Sequence, residues 1–331
     1  MERRLLGKTG FEVSRVGLGL AALGRPGYIN VGHARDLEKD YDPRAMEQRA
    51  HAVLDAARDD GVTYFDVARS YGRGEEFLAS WLSRRGIAPG TCTIGSKWGY
   101  AYTAEWRVDA PVHERKDHSL ATFTRQAAET RALLGPHLAL YQVHSATLES
   151  GILDDAHVLA AMARLREAGI AIGLTSTGPE QARVLDRALD VRVGGVGLFA
   201  TLQATWNVLE RSAAPALQRA HAEGVGVIVK EALANGRLTE RNRDPAFTAA
   251  LARLRAHAAR LHASLDQLAL GAVLDQPWAD VVLSGAATVD QLRFNLGALS
   301  VALDDEARGD LELLAEASER YWATRSLLPW N

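Results

Sequence analysis

A repeating rhythm constrains this chain more than any single residue does. From residue 44 onward, stretches with helical spacing that close on glycine alternate with apolar runs of strand length that open into loops. The runs fall at about 63–67, 92–97, 138–144, 170–175, 195–203, 225–230 and 280–284, and Val16 to Leu23 adds one more ahead of them. Runs that are continuously apolar, rather than alternating, mark strands buried on both faces, so the sheet they build is parallel and covered by helices. Eight strand–helix units are the number that closes such a sheet into a barrel. The helical stretches carry matching stop signals. The stretch 44–60 ends at Gly61, 75–85 ends in Arg84-Arg85-Gly86, and 154–168 places Val158, Met162 and Leu165 on one face ahead of Gly169. Cations in a last turn and a glycine just beyond it are how helices terminate. A doubly wound sheet is the weaker reading, because no Gly-x-Gly-x-x-Gly opens a helix after the first strand with an acid about 20 residues on.

The expected fold is therefore α/β, a (β/α)8 TIM barrel formed by residues 1–331 as a single domain. Arg4 to Arg15 reads as a hairpin around Lys8-Thr9-Gly10 that caps the barrel, and helix 289–299 completes the eighth unit. A further helix at 304–317 and the tail Tyr321 to Trp330 are additions to it. The polar insertion from Gly24 to Pro43 is long for a plain connection, which makes it a candidate lid.

Composition narrows the partners. A formal net charge of −3 offers no basic footprint for nucleic acid or an anionic membrane, so a small-molecule ligand is expected. The single cysteine, Cys92, excludes an internal disulfide and an all-cysteine metal site and suits a reducing compartment. No apolar segment follows the charged start, and none reaches membrane-spanning length, so a cytoplasmic location is expected. Oligomeric state is not legible.

The chemistry gathers at strand ends, the C-terminal mouth where barrels of this class bind ligands. In Thr63-Tyr-Phe-Asp-Val-Ala-Arg-Ser-Tyr-Gly72 the strand ends on Asp66, and Tyr71 follows five residues later. Lys97, His144 and Gln203 stand at the ends of strands 3, 4 and 6. Lys97 beside a phenol would lower its pKa, Asp66 would hold the ammonium, and His144 would donate to a carbonyl oxygen. Taken singly, each has an ordinary structural explanation. Together on successive strand ends they make a proton-donating site for carbonyl reduction or its reverse. Trp98, Tyr100, Tyr102 and Trp106 crowd the loop after strand 3, and with Trp206, Tyr321 and Trp322 they are expected to shape an apolar or sugar-binding substrate pocket. His113 and His118 have no companion ligands in frame, so no metal is expected.

At these motifs the chain resembles the aldo-keto reductase family nearly end to end. Leu6-Gly-Lys-Thr-Gly with Gly17-Leu-Gly is similar to the family's cap and first strand. Phe65-Asp-Val-Ala-Arg-Ser-Tyr-Gly72, Ser96-Lys-Trp-Gly and Val143-His-Ser resemble its Asp/Tyr, Lys and His signatures. The resemblance implies a catalytic tetrad of Asp66, Tyr71, Lys97 and His144 and a nicotinamide dinucleotide that reduces an aldehyde or ketone, sugar-like compounds included, with Tyr71 as proton donor. It further implies cofactor contacts from Thr175, Ser176 and Gln203 at the carboxamide, from Leu233, Gly236 and Arg237 along the pyrophosphate, and from Gly285, Ala287, Thr288, Gln291 and Asn295 at the adenosine. NADP(H) is the favoured cofactor on this likeness and NAD(H) remains open, since Gly285, Ala286 and Ala287 supply no cation. Lys230 stands where many members stack an aromatic on the nicotinamide. Two other outcomes are compatible with the likeness: a cofactor-sensing regulatory barrel resembling channel beta subunits, and an NAD-dependent aldose dehydrogenase.

Overall fold

The computed structural model describes all 331 residues. The chain opens with an antiparallel hairpin, β1 (Arg3–Leu5) and β2 (Glu12–Ser14), followed by β3 (Val16–Gly19), α1 (His33–Asp36), α2 (Pro43–Asp59), β4 (Tyr64–Asp66), α3 (Gly74–Arg84) and β5 (Thr93–Trp98). A second hairpin, β6 (Tyr100–Tyr102) and β7 (Glu114–Lys116), precedes α4 (Leu120–Leu134), β8 (Leu138–Ala146), α5 (Ala156–Glu167), β9 (Ala171–Ser176) and α6 (Gln181–Asp190). A third, β10 (Arg192–Val193) and β11 (Val196–Gly197), leads to β12 (Thr201–Thr205), α7 (Ala214–Ala222), β13 (Gly226–Lys230), α8 (Thr248–Arg260), α9 (Leu265–Leu274), β14 (Val281–Ser284), α10 (Val289–Leu296), α11 (Asp305–Glu312) and α12 (Ser318–Ser326).

Eight of these strands close a parallel barrel in the order β3-β4-β5-β8-β9-β12-β13-β14, with β14 pairing back onto β3. The (β/α)8 expectation holds, and so does the N-terminal hairpin. That hairpin plugs the bottom of the barrel: Leu6 and Val13 pack with Tyr64, Leu140, Ile228 and Val281. Gly7 is required at its turn, where φ is +53° and an added Cβ would lie 2.6 Å from the Gly224 carbonyl oxygen. Above this apolar floor the interior turns polar, because Asp66, Lys97, Gln142 and Gln203 alternate inward on their strands. Their neighbours Phe65, Trp98, Tyr141, Val143 and Leu202 face the helical shell as part of the main core.

Three elements differ from the sequence reading. The run from Val16 pairs only to Gly19, since Leu20 to Leu23 folds into a turn in which Leu23 N–H donates to the Leu20 carbonyl. The strand expected at 195–203 begins at Thr201, because Gly194 and Gly195, both at positive φ, turn the exposed β10–β11 hairpin. The helix expected at 304–317 is shorter, and α12 follows it, burying Tyr321 and Trp322 in a second core with α8 and α9. No helix is long and apolar enough to cross a membrane.

Candidate active site

Inward alternation brings Asp66 of β4, Lys97 of β5, Gln142 and His144 of β8 and Gln203 of β12 to the top of the barrel. Lys97 is 1% exposed, and its ammonium spends all three protons: on Asp66 Oδ1, on the Val67 carbonyl at 3.1 Å and on the Tyr71 phenolic oxygen at 3.3 Å. The other carboxylate oxygen, Asp66 Oδ2, accepts from Gln203 Nε2 at 3.0 Å and from Gln142 Nε2 and the Tyr64 hydroxyl at 3.3 Å each. A lysine has no acceptor to offer, so the Tyr71 oxygen receives its proton and the phenol's own hydrogen is left free to point elsewhere.

Tyr71 hangs in the loop after β4, in a turn closed from its N–H to the Ala68 carbonyl and from Gly74 N–H to its own carbonyl. The guanidinium of Arg25 lies 5.1 Å from its ring centre and is itself fixed by Glu114 at 2.7 Å and the Ser70 carbonyl at 3.2 Å. Burial, reinforced by the Asp66 charge, holds the phenol's pKa well above 10. From sequence alone Lys97 is expected to lower it. With the ammonium's charge met by Asp66 on the spot, desolvation wins. His144 is held well below its ordinary pKa, first by burial and then by the Lys97, Arg25 and Lys230 charges, so its ring is neutral at pH 7. The ring sits edge-on to Tyr71 and Tyr100, with Nδ1 3.4 Å from the Ser70 hydroxyl.

These groups form one end of a cavity of about 580 Å³ that runs across the barrel mouth to the loop and helix after β14. Asp66, Tyr71, Tyr100, His144, Thr175, Gln203, Leu233, Gly236, Gly285, Gln291 and Asn295 lie on its wall. Lys97 stands behind Asp66 and Tyr71.

Other candidates lie off the wall for identifiable reasons. Ser176 and Trp98 each follow an inward residue on a strand, so strand parity turns them outward, and Trp206 stands one residue past the end of β12. Trp98 packs on Phe123, Trp206 on Trp278, and the Ser176 hydroxyl is buried without a partner. Trp106 donates to the Tyr41 carbonyl at 2.6 Å and packs edge-on against Phe77. Arg237 is taken by Glu316, 3.1 Å away, between the rings of Phe247 and Tyr321. Thr288 caps α10, and Ala287 N–H donates to Gln291 Oε1 at 2.9 Å, so both serve the helix start. Tyr102 is half-buried in β6, and His113 stacks flat on Trp330.

The wall also contains residues that the sequence did not single out, among them Arg25, Tyr28, Glu114, Arg325 and Trp330. No local pattern marks them. Arg25 and Tyr28 belong to the insertion after β3, which is fastened over the mouth by Val31 N–H to the Asn235 carbonyl, by an Asp36–Arg241 ion pair and by Asn331. Lys230 also lies on the wall, where it donates to the Thr205 hydroxyl at 2.8 Å, and burial lowers its pKa to about 8. Burial works against ionised Glu231 too, but Arg325 at 2.9 Å and Lys230 outweigh it and hold the carboxyl at about 2.

The cavity suits a nicotinamide dinucleotide. Its wall reaches from Tyr71 to Phe294, its volume lies in the range of ligand sites, and Asn235 Oδ1 on that wall is buried with no partner.

Comparison with known proteins agrees with this construction. The aldo/keto reductase family model matches residues 16–316. L-galactose dehydrogenase of Arabidopsis thaliana is 25% identical over 96% of this chain and 95% of its own. Pyridoxal 4-dehydrogenase of Microbacterium luteolum is 36% identical, over 31% of this chain and 26% of its own. An aldo-keto reductase of Bacillus halodurans, solved in its holo form, shares the fold with a TM-score of 0.73 at 22% identity, covering 97% of this chain and 99% of that one. A match spanning the whole barrel, on a chain whose strand ends converge as described, shows that this protein belongs to the aldo/keto reductase family of NAD(P)H-dependent oxidoreductases.

Proposed function

We propose that the chain interconverts a small polar carbonyl compound and its alcohol, with Tyr71 moving the proton. The observation that carries this reading is the single contact at which Lys97, already neutralised by Asp66, donates to the Tyr71 oxygen at 3.3 Å. That contact keeps the phenol's hydrogen off the ammonium and leaves it available to the cavity. A phenol oriented by a lysine and facing the cavity is a general acid for a carbonyl oxygen, and the phenolate it leaves is stabilised by the same ammonium. Neutral His144 beside it has a ring N–H to orient the carbonyl without adding charge.

The dinucleotide, when bound, supplies or accepts the hydride. Thr175, Gln203, Leu233, Gly236, Asn235, Gly285 and Asn295 are the wall residues that would hold it, with one end of it beside Tyr71. Gln203 has a second duty, since its amide already anchors Asp66.

The substrate end of the cavity combines aromatic faces from Tyr28, Tyr100 and Trp330 with charged groups from Arg25, Glu114 and Glu231. Flat apolar surface edged by donors and acceptors suits a polyhydroxylated or heteroaromatic aldehyde or alcohol. Two similar proteins are named for L-galactose and pyridoxal, which are compounds of those two kinds.

Tyr71→Phe tests the assignment. Turnover of a carbonyl and alcohol panel is expected to fall at least a thousandfold, while dinucleotide affinity, read by quenching of protein fluorescence, stays within threefold. Retained turnover removes Tyr71 as the acid.

A further inference from the structure

The two ends of the cavity are chemically distinct. If Tyr71 marks the reacting end, as the proposed function requires, the second nucleoside of the dinucleotide extends to the far end, against Arg241, Asp266, Leu270, Asp290, Gln291 and Phe294. We infer that this far end selects an unphosphorylated adenosine ribose, so that the chain works with NAD(H) and rejects NADP(H), with Asp266 and Asp290 as the selecting groups. This reverses the cofactor preference drawn from sequence likeness.

The charges argue for it. Asp266 lies in the first turn of α9 and Asp290 in the first turn of α10, and the two helices are packed together, with Gln267 Nε2 donating to the Phe294 carbonyl at 3.0 Å. Burial raises the Asp266 carboxyl only to about 6, which leaves it an anion at pH 7.5. The one cation on the wall there is Arg241. Its terminal nitrogens are both committed to Asp36, at 2.6 and 2.7 Å, and one of them also reaches the Val31 carbonyl at 3.4 Å. Gln291 folds back onto Ala287 N–H instead of reaching outward.

A 2′-phosphate would bring about two negative charges into this setting and find two carboxylates and no uncommitted cation. A 2′-hydroxyl brings a donor that a carboxylate accepts, which is the usual basis for choosing NAD over NADP. The unpartnered Asn235 Oδ1, on a residue 6% exposed, is a further acceptor waiting on the same wall.

The test is a fluorescence titration of the full chain with NADH and NADPH, together with competition by ADP-ribose and 2′-phospho-ADP-ribose. NADH is expected to bind at least tenfold more tightly than NADPH, and ADP-ribose to displace it where the phosphorylated fragment does not. In Asp266→Asn/Asp290→Asn the ratio of the two affinities should fall at least threefold. Equal or tighter NADPH binding, as would follow if Arg241 left Asp36 for the phosphate, overturns the inference, and so does an unchanged ratio in a folded double variant. The competition experiment needs no variant. Binding of neither dinucleotide overturns the proposed function itself, which separates the two failures.

Discussion

Replacing Asp66 by asparagine removes one negative charge from the top of the barrel and nearly nothing else. Both carboxylate oxygens are in use, Oδ1 by Lys97 and Oδ2 by Gln203, Gln142 and Tyr64. The amide can keep much of this network, because the Gln142 Oε1 is buried without a partner and a turned Gln142 side chain would accept from the new NH2. What it cannot supply is charge for an ammonium that is 1% exposed and otherwise touches only a carbonyl and a phenol. Leaving a buried charge without its partner costs about 3–5 kcal/mol. Lys97→Met is the milder change: the stranded carboxylate keeps three neutral donors, and hydrogen bonds to a charged group are worth about 1.5–3 kcal/mol each. The double variant Asp66→Asn/Lys97→Met removes both charges and should be more stable than Asp66→Asn alone. Urea unfolding followed by far-ultraviolet circular dichroism reads this as shifts in midpoint at constant slope. A loss below about 1 kcal/mol in Asp66→Asn would refute the reasoning, as would single and double variants whose costs simply add.

Two other expectations follow from the same region. Because the Tyr71 pKa is raised above its ordinary value of about 10, the acid form persists across the neutral range. Carbonyl reduction should therefore be flat with pH from about 6.5 upward and fall only in alkali, while alcohol oxidation, which needs the phenolate, should rise over the same range; a reduction profile with a midpoint below about 7 contradicts this. Gly24 packs where an added Cβ would lie 2.7 Å from Gly74 Cα and closer still to the Tyr71 carbonyl. Gly24→Ala should cost about 1–3 kcal/mol of stability and lower kcat about tenfold or more by displacing Tyr71, with dinucleotide affinity unchanged in titration. An unaltered kcat would mean the loop tolerates the shift.

The barrel was legible because strand burial and helix stop signals repeat, and repetition survives local ambiguity. Asp66, Lys97 and His144 were legible for the same reason: each is the last inward position of a run whose period is fixed. That period also held the correction to Trp98, Trp206 and Ser176. A side chain adjacent to an inward residue on a strand faces outward, as Trp98 and Ser176 do, and Trp206, just past β12, keeps that direction to pack on Trp278. Arg25, Glu114, Arg325 and Trp330 were not legible at all. Arg25 meets Glu114 from 89 residues away and Arg325 meets Glu231 from 94, through loops whose paths no local pattern encodes. Arg237 was misplaced for a related reason, since its partner Glu316 arrives from beyond α11.

Closure of the barrel through β3 and β14 has a consequence for how the protein is made. Val16 pairs with Val282, so the first barrel strand must wait for almost the whole chain to be synthesised before its outer edge is filled. A nascent chain that has reached β9 carries two open sheet edges and an uncovered apolar interior, the state most prone to stick to its neighbours. Asp66, Lys97 and Gln142 have all emerged by then, but Gln203 has not. The half-built mouth therefore stays wet, and its ion pair keeps its solvating water until the second half of the barrel arrives to replace it. Contacts this distant in sequence are slow to form. Synthesis is thus the stage at which the open edges of such a barrel are exposed.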